Sequence, residues 1–277
     1  FDLLLKFSYR WAFSQKYGFI RKVEVQNIGD QSREIECLDG LENLLPSNVD
    51  GLMQDRRSTL VDAYKKNELD ADTGMGIFSL SSNIVDKAEP SESLSANVVW
   101  SLDNPALHLL SNQQIDSFRK GANLQPELFT KAQKSAWFAQ RDFALNPNAI
   151  QSWYLVAETS LSSAEVHNLK AAIENGISAS ELEEELKRTY TELQTLVAKA
   201  DGLQSSSDRL VQSRHYGNVL YNIMRGGLFE DTYRLDLADF KAYLALSNKP
   251  LSEKFASDLK ALKGPMSYAD LQAWMQE

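Results

Sequence analysis

Apolar and polar positions alternate through residues 19–28: Val23 and Val25 fall on one side, Lys22, Glu24 and Gln26 on the other. A period of two predicts a half-buried strand. Gly-Asp-Gln-Ser (29–32) supplies turn chemistry, and residues 33–38 alternate again with Ile35 and Cys37 inward. Together they predict an antiparallel hairpin. Residues 135–145 set Trp137, Ala139, Arg141, Phe143 and Leu145 against smaller and polar neighbours; Asn-Pro-Asn-Ala (146–149) turns the chain and 150–157 return. That predicts a second hairpin. Residues 76–85 and 96–102 read as further strands. Many short strands with one polar face each indicate an antiparallel sandwich rather than a parallel α/β sheet.

Two long excursions interrupt the strands. The stretch 39–57, DGLENLLPSNVDGLMQDRR, is broken by Gly, Pro and Asn, yet carries Leu41, Leu44, Leu45, Leu52 and Met53. A helix over 58–69 with Ser58 as its N-cap follows it. A second excursion, 111–134, holds a helix around 112–122. Unstructured stretches this long inside a domain usually bind something or form an interface; the plainer reading of 39–57 is a loop capping one end of the core.

Near residue 160 the period changes to that of helices. Residues 162–176 begin at a Ser162 or Ser163 cap and stop at Gly176. Leu182, Leu186, Tyr190, Leu193 and Val197 form one stripe, with Ser180 and Glu183 as a capping box and Gly202 as the stop. Tyr216, Val219, Leu220 and Ile223 form another, ended by Gly226-Gly227. Three shorter capped helices follow, each with one apolar face that needs a partner. The sequence therefore predicts an α+β chain: a β-sandwich domain over 1–160 and a helical linker or array over 161–277.

Composition narrows the function classes. The 277 residues are 43% hydrophobic and 24% charged, with net charge −9. An acidic surface argues against nucleic acid or an anionic membrane as the main partner. No run of about 18 apolar residues is present to span a membrane. The single cysteine, Cys37, cannot form an internal disulfide, and His108, His167 and His215 lie in no metal-ligand spacing. No cofactor loop or metal motif is expected. The sequence begins with Phe and has no signal peptide, so it reads as a piece of a longer chain lacking its native N-terminus, from a cytoplasmic or periplasmic protein.

Four stretches carry a family resemblance: 18–46, 60–69, 86–101 and 214–240. Residues 143–169 fit it too, as a strand, a Pro-containing turn, a strand and then a helix. The chain resembles the cellobiose-phosphorylase-like glycoside hydrolases. The resemblance implies a galactose-mutarotase-like supersandwich and helical linkers, both preceding an (α/α)6 catalytic barrel that carries the general acid. Too few helices follow residue 160 for that barrel. The resemblance thus implies a non-catalytic fragment of a glycosidase or phosphorylase, inactive alone, that packs on the barrel and helps shape a carbohydrate pocket. It would place the 39–57 arm at that pocket. The alternative is a free-standing carbohydrate-binding or protein-interaction module. A third class is an enzyme with its site inside the sandwich, which needs histidines and carboxylates converging on a sheet face.

No catalytic residue follows from spacing alone. Glycoside cleavage needs two carboxylates held across the scissile bond. The candidate substrate-binding residues are Asp55 beside Arg56 and Arg57, where the arginines suit phosphate, and the Glu230-Asp231 pair after the diglycine; Glu89 and Glu92 are further carboxylates. Surface placement and ordinary ion pairing are the expectation for all of them. Trp100, Trp137 and Trp153 fall on expected strands, where core packing is the expectation.

Overall fold

A computed structural model describes the chain except residues 1–2, 85–92, 104, 106, 202–205, 227–233 and 277. It divides into two compact units, Phe1–Leu186 and Lys187–Glu277, each taken by itself. Antiparallel sheets and nine helices among the described residues make it an α+β fold.

The first unit is built on two sheets. The larger has seven strands in the order β1 (Leu5–Ser14), β2 (Gly18–Asn27), β10 (Ile150–Ser162), β6 (Ser95–Ser101), β5 (Met75–Leu80), β4 (Lys65–Asp70) and β8 (Phe129–Lys131). The smaller has three: β3 (Arg33–Leu44), β9 (Ser135–Leu145) and β7 (Leu107–Ser111). Their inner faces share clusters. Val23, Val25 and Trp153 of the large sheet meet Leu145, Ile35 and Cys37 of the small one. Phe78, Val99 and Leu155 meet Leu110, Trp137 and Ala139. Trp100, Trp137 and Trp153 are all buried, as their strand positions predict.

Neither predicted hairpin forms. β2 pairs with β1 and β10, while β3 pairs with β9, so the 28–32 turn crosses from one sheet to the other; the 146–149 turn between β9 and β10 does the same. The buried Asn27 fastens the two crossings together. Its side-chain nitrogen donates to the carbonyls of Gln31 (2.7 Å) and Leu145 (2.9 Å), its oxygen accepts from Gly29 N, and its backbone exchanges bonds with Ala149 and Asn148. A side chain that satisfies this many backbone groups at a closed end is worth more than one neutral hydrogen bond.

Helices cover the outer face of the large sheet. α3 (Ser163–Glu174) begins where β10 ends, with Ser162 as N-cap in a full capping box with Glu165. α4 (Ala179–Asp201) follows; its cap bond runs from Glu181 N to Ser178 Oγ (3.1 Å), two residues before the expected Ser180. Leu182 is fully buried with Ile20, Val98, Trp100 and Val156, and Val166, Leu169, Ile173 and Leu186 pack around them. Lys170 pins α3 to the β4–β5 turn through Asp70 (2.6 Å) and Asp72 (3.0 Å).

The excursions are shorter than predicted. β3 runs to Leu44, and α1 (Gly51–Tyr64) starts at an Asp50 cap rather than at Ser58, with a kink at Arg57. The expected helical residues 65–69 belong to β4. Strand follows helix there without a linking residue: Tyr64 closes α1, Lys65 opens β4, and the Lys65 ammonium, almost fully buried, pairs with Asp62 at 2.8 Å. α2 is one short stretch, Ile115–Arg119.

In the second unit, Leu193, Val197 and Ala200 of α4 pack on Tyr216, Val219 and Ile223 of α5 (Arg209–Met224). α6 (Leu237–Ser247), α7 (Lys249–Lys254), α8 (Ala256–Ala261) and α9 (Tyr268–Gln276) follow, with the two-residue pair β11 (Arg234–Leu235) and β12 (Met266–Ser267).

Candidate functional site

The sequence candidates do not converge. Asp55, Arg56 and Arg57 are consecutive, exposed residues at the α1 kink, and none makes an ion pair among the described residues. Glu230, Asp231, Glu89 and Glu92 lie outside the described residues.

The structure gathers a different set, between the sheets. Arg141 sits at an inward position of β9, which places a guanidinium in the core, where it needs partners. Its Nε donates to Asp103 Oδ2 (2.5 Å), and its Nη2 donates to both Asp103 Oδ1 (2.9 Å) and Ser101 Oγ (2.7 Å). Ser101 also donates to Asp103. The Trp153 ring lies 5.0 Å beneath the guanidinium, and the Trp153 indole donates to Asp39 Oδ2 (2.7 Å). Asp39 in turn takes a two-oxygen contact from Arg21, at 2.7 Å to each oxygen. Both of those contacts come from the single nitrogen Nη2 of Arg21, whereas Arg141 meets Asp103 fork to fork through Nε and Nη2, the geometrically specific arrangement. Two Arg–Asp pairs are thus joined through one indole.

The electrostatics follow. Burial alone would raise the Asp103 carboxyl, but hydrogen bonds from Arg141 and Ser101 outweigh it and hold the group below the usual carboxylate range. His108 of β7 is buried on the same inner face, 5.3 Å from the Trp137 ring, with its Nε2 unpartnered. Burial pushes its pKa down to about 4, the Arg141 charge adds to the fall, and Asp103 opposes it. Burial likewise pushes the Cys37 thiol up to about 11, which keeps it a thiol.

A cavity of about 520 Å³ opens beside this network, lined by Asp103, Pro105, Leu107, Gln140, Arg141, Asp142, Phe143 and Gln151. β7 has its end at Leu107, opposite Gln140, and among the described residues no strand pairs with 141–143 of β9 on that side. Carboxylates and amides that accept and donate, beside a flat Phe143 ring, form a donor set suited to vicinal hydroxyls. The sandwich-enzyme class called for several imidazoles with carboxylates. Here one buried imidazole faces the core, and His167 is exposed on α3.

The alternation of β9 places Arg141 inward, and nothing in the sequence alone assigns it a role. An arginine in an otherwise apolar alternation was the available signal; its partner Asp103, 38 residues away, carried none.

No family model matches the chain, and no curated protein matches it. Among solved structures it is similar to one described as "Putative kojibiose phosphorylase from human microbiome", with 9% identity and a TM-score of 0.38. The match covers 78% of this chain and 24% of that one, so this chain spans about a quarter of that structure's length. A likeness of this size carries no statement about function.

Proposed function

We propose that the chain is the sandwich and helical-linker portion of a carbohydrate-active enzyme of the cellobiose-phosphorylase-like type, with a supersandwich as its β domain. Its role is scaffolding and pocket-shaping: it packs on a catalytic (α/α)6 barrel of the same polypeptide and offers hydroxyl-binding residues to a glycan. The observation that carries this reading is the end of the sandwich. β9, a turn containing Pro147, β10 and then a helix capped by the last strand residue follow one another without a break, an ending that also fits the family resemblance. The cavity at Asp103, Gln140 and Gln151 is the glycan-contacting surface in this reading.

Titration calorimetry of the chain with gluco-disaccharides tests it. Weak binding, lost on Gln140→Ala with Gln151→Ala, is the expected result, with no turnover of β-glucosides by hydrolysis or phosphorolysis. Turnover by the chain alone would overturn the scaffold role; binding indifferent to both substitutions would overturn the site.

A further inference from the structure

The large sheet overhangs the small one on one side only. β3 packs over β2 and β10, and β7 lies at the other end, against β4 and β8. Continuing outward from β3 therefore leads over β1, and past Leu5, which packs against the Val23 and Trp153 cluster, nothing among the described residues covers the inner face of β1. Its residues Phe7, Tyr9, Trp11 and Phe13 pair across to Val25, Val23, Arg21 and Phe19, so they share the inner face. Yet they are 57%, 60%, 44% and 56% exposed, while Val23 and Val25 beside them are buried. Enclosed aromatic side chains bury about 150–250 Å² each, so these four with half-exposed Phe19 leave about 500 Å² of bare aromatic surface. That is the upper range of what a monomer exposes in one patch. The backbone repeats the pattern: among the described residues β1 and β3 each pair with one neighbour only, so both present an edge on this same side.

We infer that this step is an interface for a second copy of the chain. A two-fold axis running between the layers lays the β1 aromatic stripe of one copy on that of the other. Each β1 then joins that edge of its partner's β3, so every large sheet continues into a small one. The charges are self-complementary. The outward face of β1 carries Lys6 and also Arg10, which already pairs with Glu183 of α4 at 3.2 Å, and the outward face of β3 carries exposed Glu34 and Glu36. Opposite charges on neighbouring strands attract, and like charges would repel. The aromatic stripe, two strand edges and their rims approach the ~800 Å² per partner of a standard interface. Trp11 contributes twice, since its ring also lies 5.5 Å from Arg21, which is locked to Asp39.

Sedimentation velocity of the whole chain over about 1–100 µM tests this. A dimer of 31.2 kDa protomers is expected, with Tyr9→Lys plus Trp11→Lys raising its Kd at least about 100-fold and leaving the circular dichroism unchanged. Should that pair misfold, a charge exchange decides. Lys6→Glu with Arg10→Glu weakens the dimer about tenfold, and adding Glu34→Lys with Glu36→Lys restores it. A monomer throughout the range overturns the proposal, as does a dimer indifferent to both sets. So does a monomer whose tryptophan emission titrates with maltose or cellobiose, which would give the face to a glycan. A longer form of the chain in which preceding residues protect the β3 edge from hydrogen exchange in a monomer overturns it too.

Discussion

His108 should make the first unit acid-sensitive well above the range where carboxylates titrate. Its imidazole is 4% exposed, its Nε2 has no partner, and Arg141 stands nearby, so protonation must put a second cation into the core. The folded pKa is near 4, against an ordinary 6.5. A depressed folded value means that the unfolded chain binds the proton first. The contribution is therefore complete above pH 6.5 and is lost as pH falls from 6.5 toward 4. A tenfold difference in proton affinity between the folded and unfolded chain corresponds to about 1.4 kcal/mol, which gives about 3 kcal/mol in all and about 2 kcal/mol by pH 5. For a unit of this size that is a fall of about 4–8 °C in melting temperature. Asp103, held low, keeps its contribution above the ordinary carboxylate range and loses it only below the histidine window. Glu158, raised by burial and then by Glu165, works the other way and gains stability as pH falls. Comparison with His108→Leu cancels both. Urea unfolding at pH 7, 6 and 5 should show the loss in the wild type and a flatter profile in the variant. Equal slopes in the two proteins would refute the reasoning.

Three further outcomes are expected. A Cβ at Gly40 would stand 1.9 Å from the Trp137 carbonyl and 2.7 Å from Phe138 Cα, both backbone, so Gly40→Ala should cost at least about 3 kcal/mol or leave the unit unfolded by circular dichroism. Asp103→Asn leaves the Arg141 charge buried with weaker acceptors. Since the Asp103 side chain is 43% exposed, the loss should be about 2 kcal/mol in chemical denaturation, below the roughly 3–5 kcal/mol of a fully buried pair. Ser162→Ala breaks the capping box at the start of α3 and should cost about 1 kcal/mol, with Ser162→Asp recovering most of it.

Alternation made the strands legible because a half-buried strand must write its two faces into its side chains. It did not make their partners legible. Period two says which side chains face inward, and it is the same for strands joined within one sheet and strands joined across two. Both four-residue turns, 29–32 and 146–149, were open to either reading, and a buried Asn27 decides it only once Leu145 and Ala149 are seen beside it. Strand β1 has the same alternation, but its aromatics stay exposed on the inner face, so burial does not mark it as it marks β2. Lys65, Lys66, Glu68 and Leu69 are good helix formers that become strand where Asn67 is satisfied by Thr130, Ser135 and Leu110, a tertiary gain that local propensity does not register. The network followed the same rule. Arg141 was visible as an anomaly, whereas Asp103 and Asp39 acquire meaning only through the fold.

The direct passage from α1 into β4 sets a rule of parity for this part of the chain. With Lys65 already inside and Ser81 N bonded to the Tyr64 carbonyl at 2.8 Å, no slack exists to absorb a change in length. One inserted residue would turn Lys65 and Asn67 out of the interior and bring Lys66 and Glu68 in. Two would preserve the facing and only lengthen the path. Variation in length at this seam should therefore be tolerated in even steps and refused in odd ones.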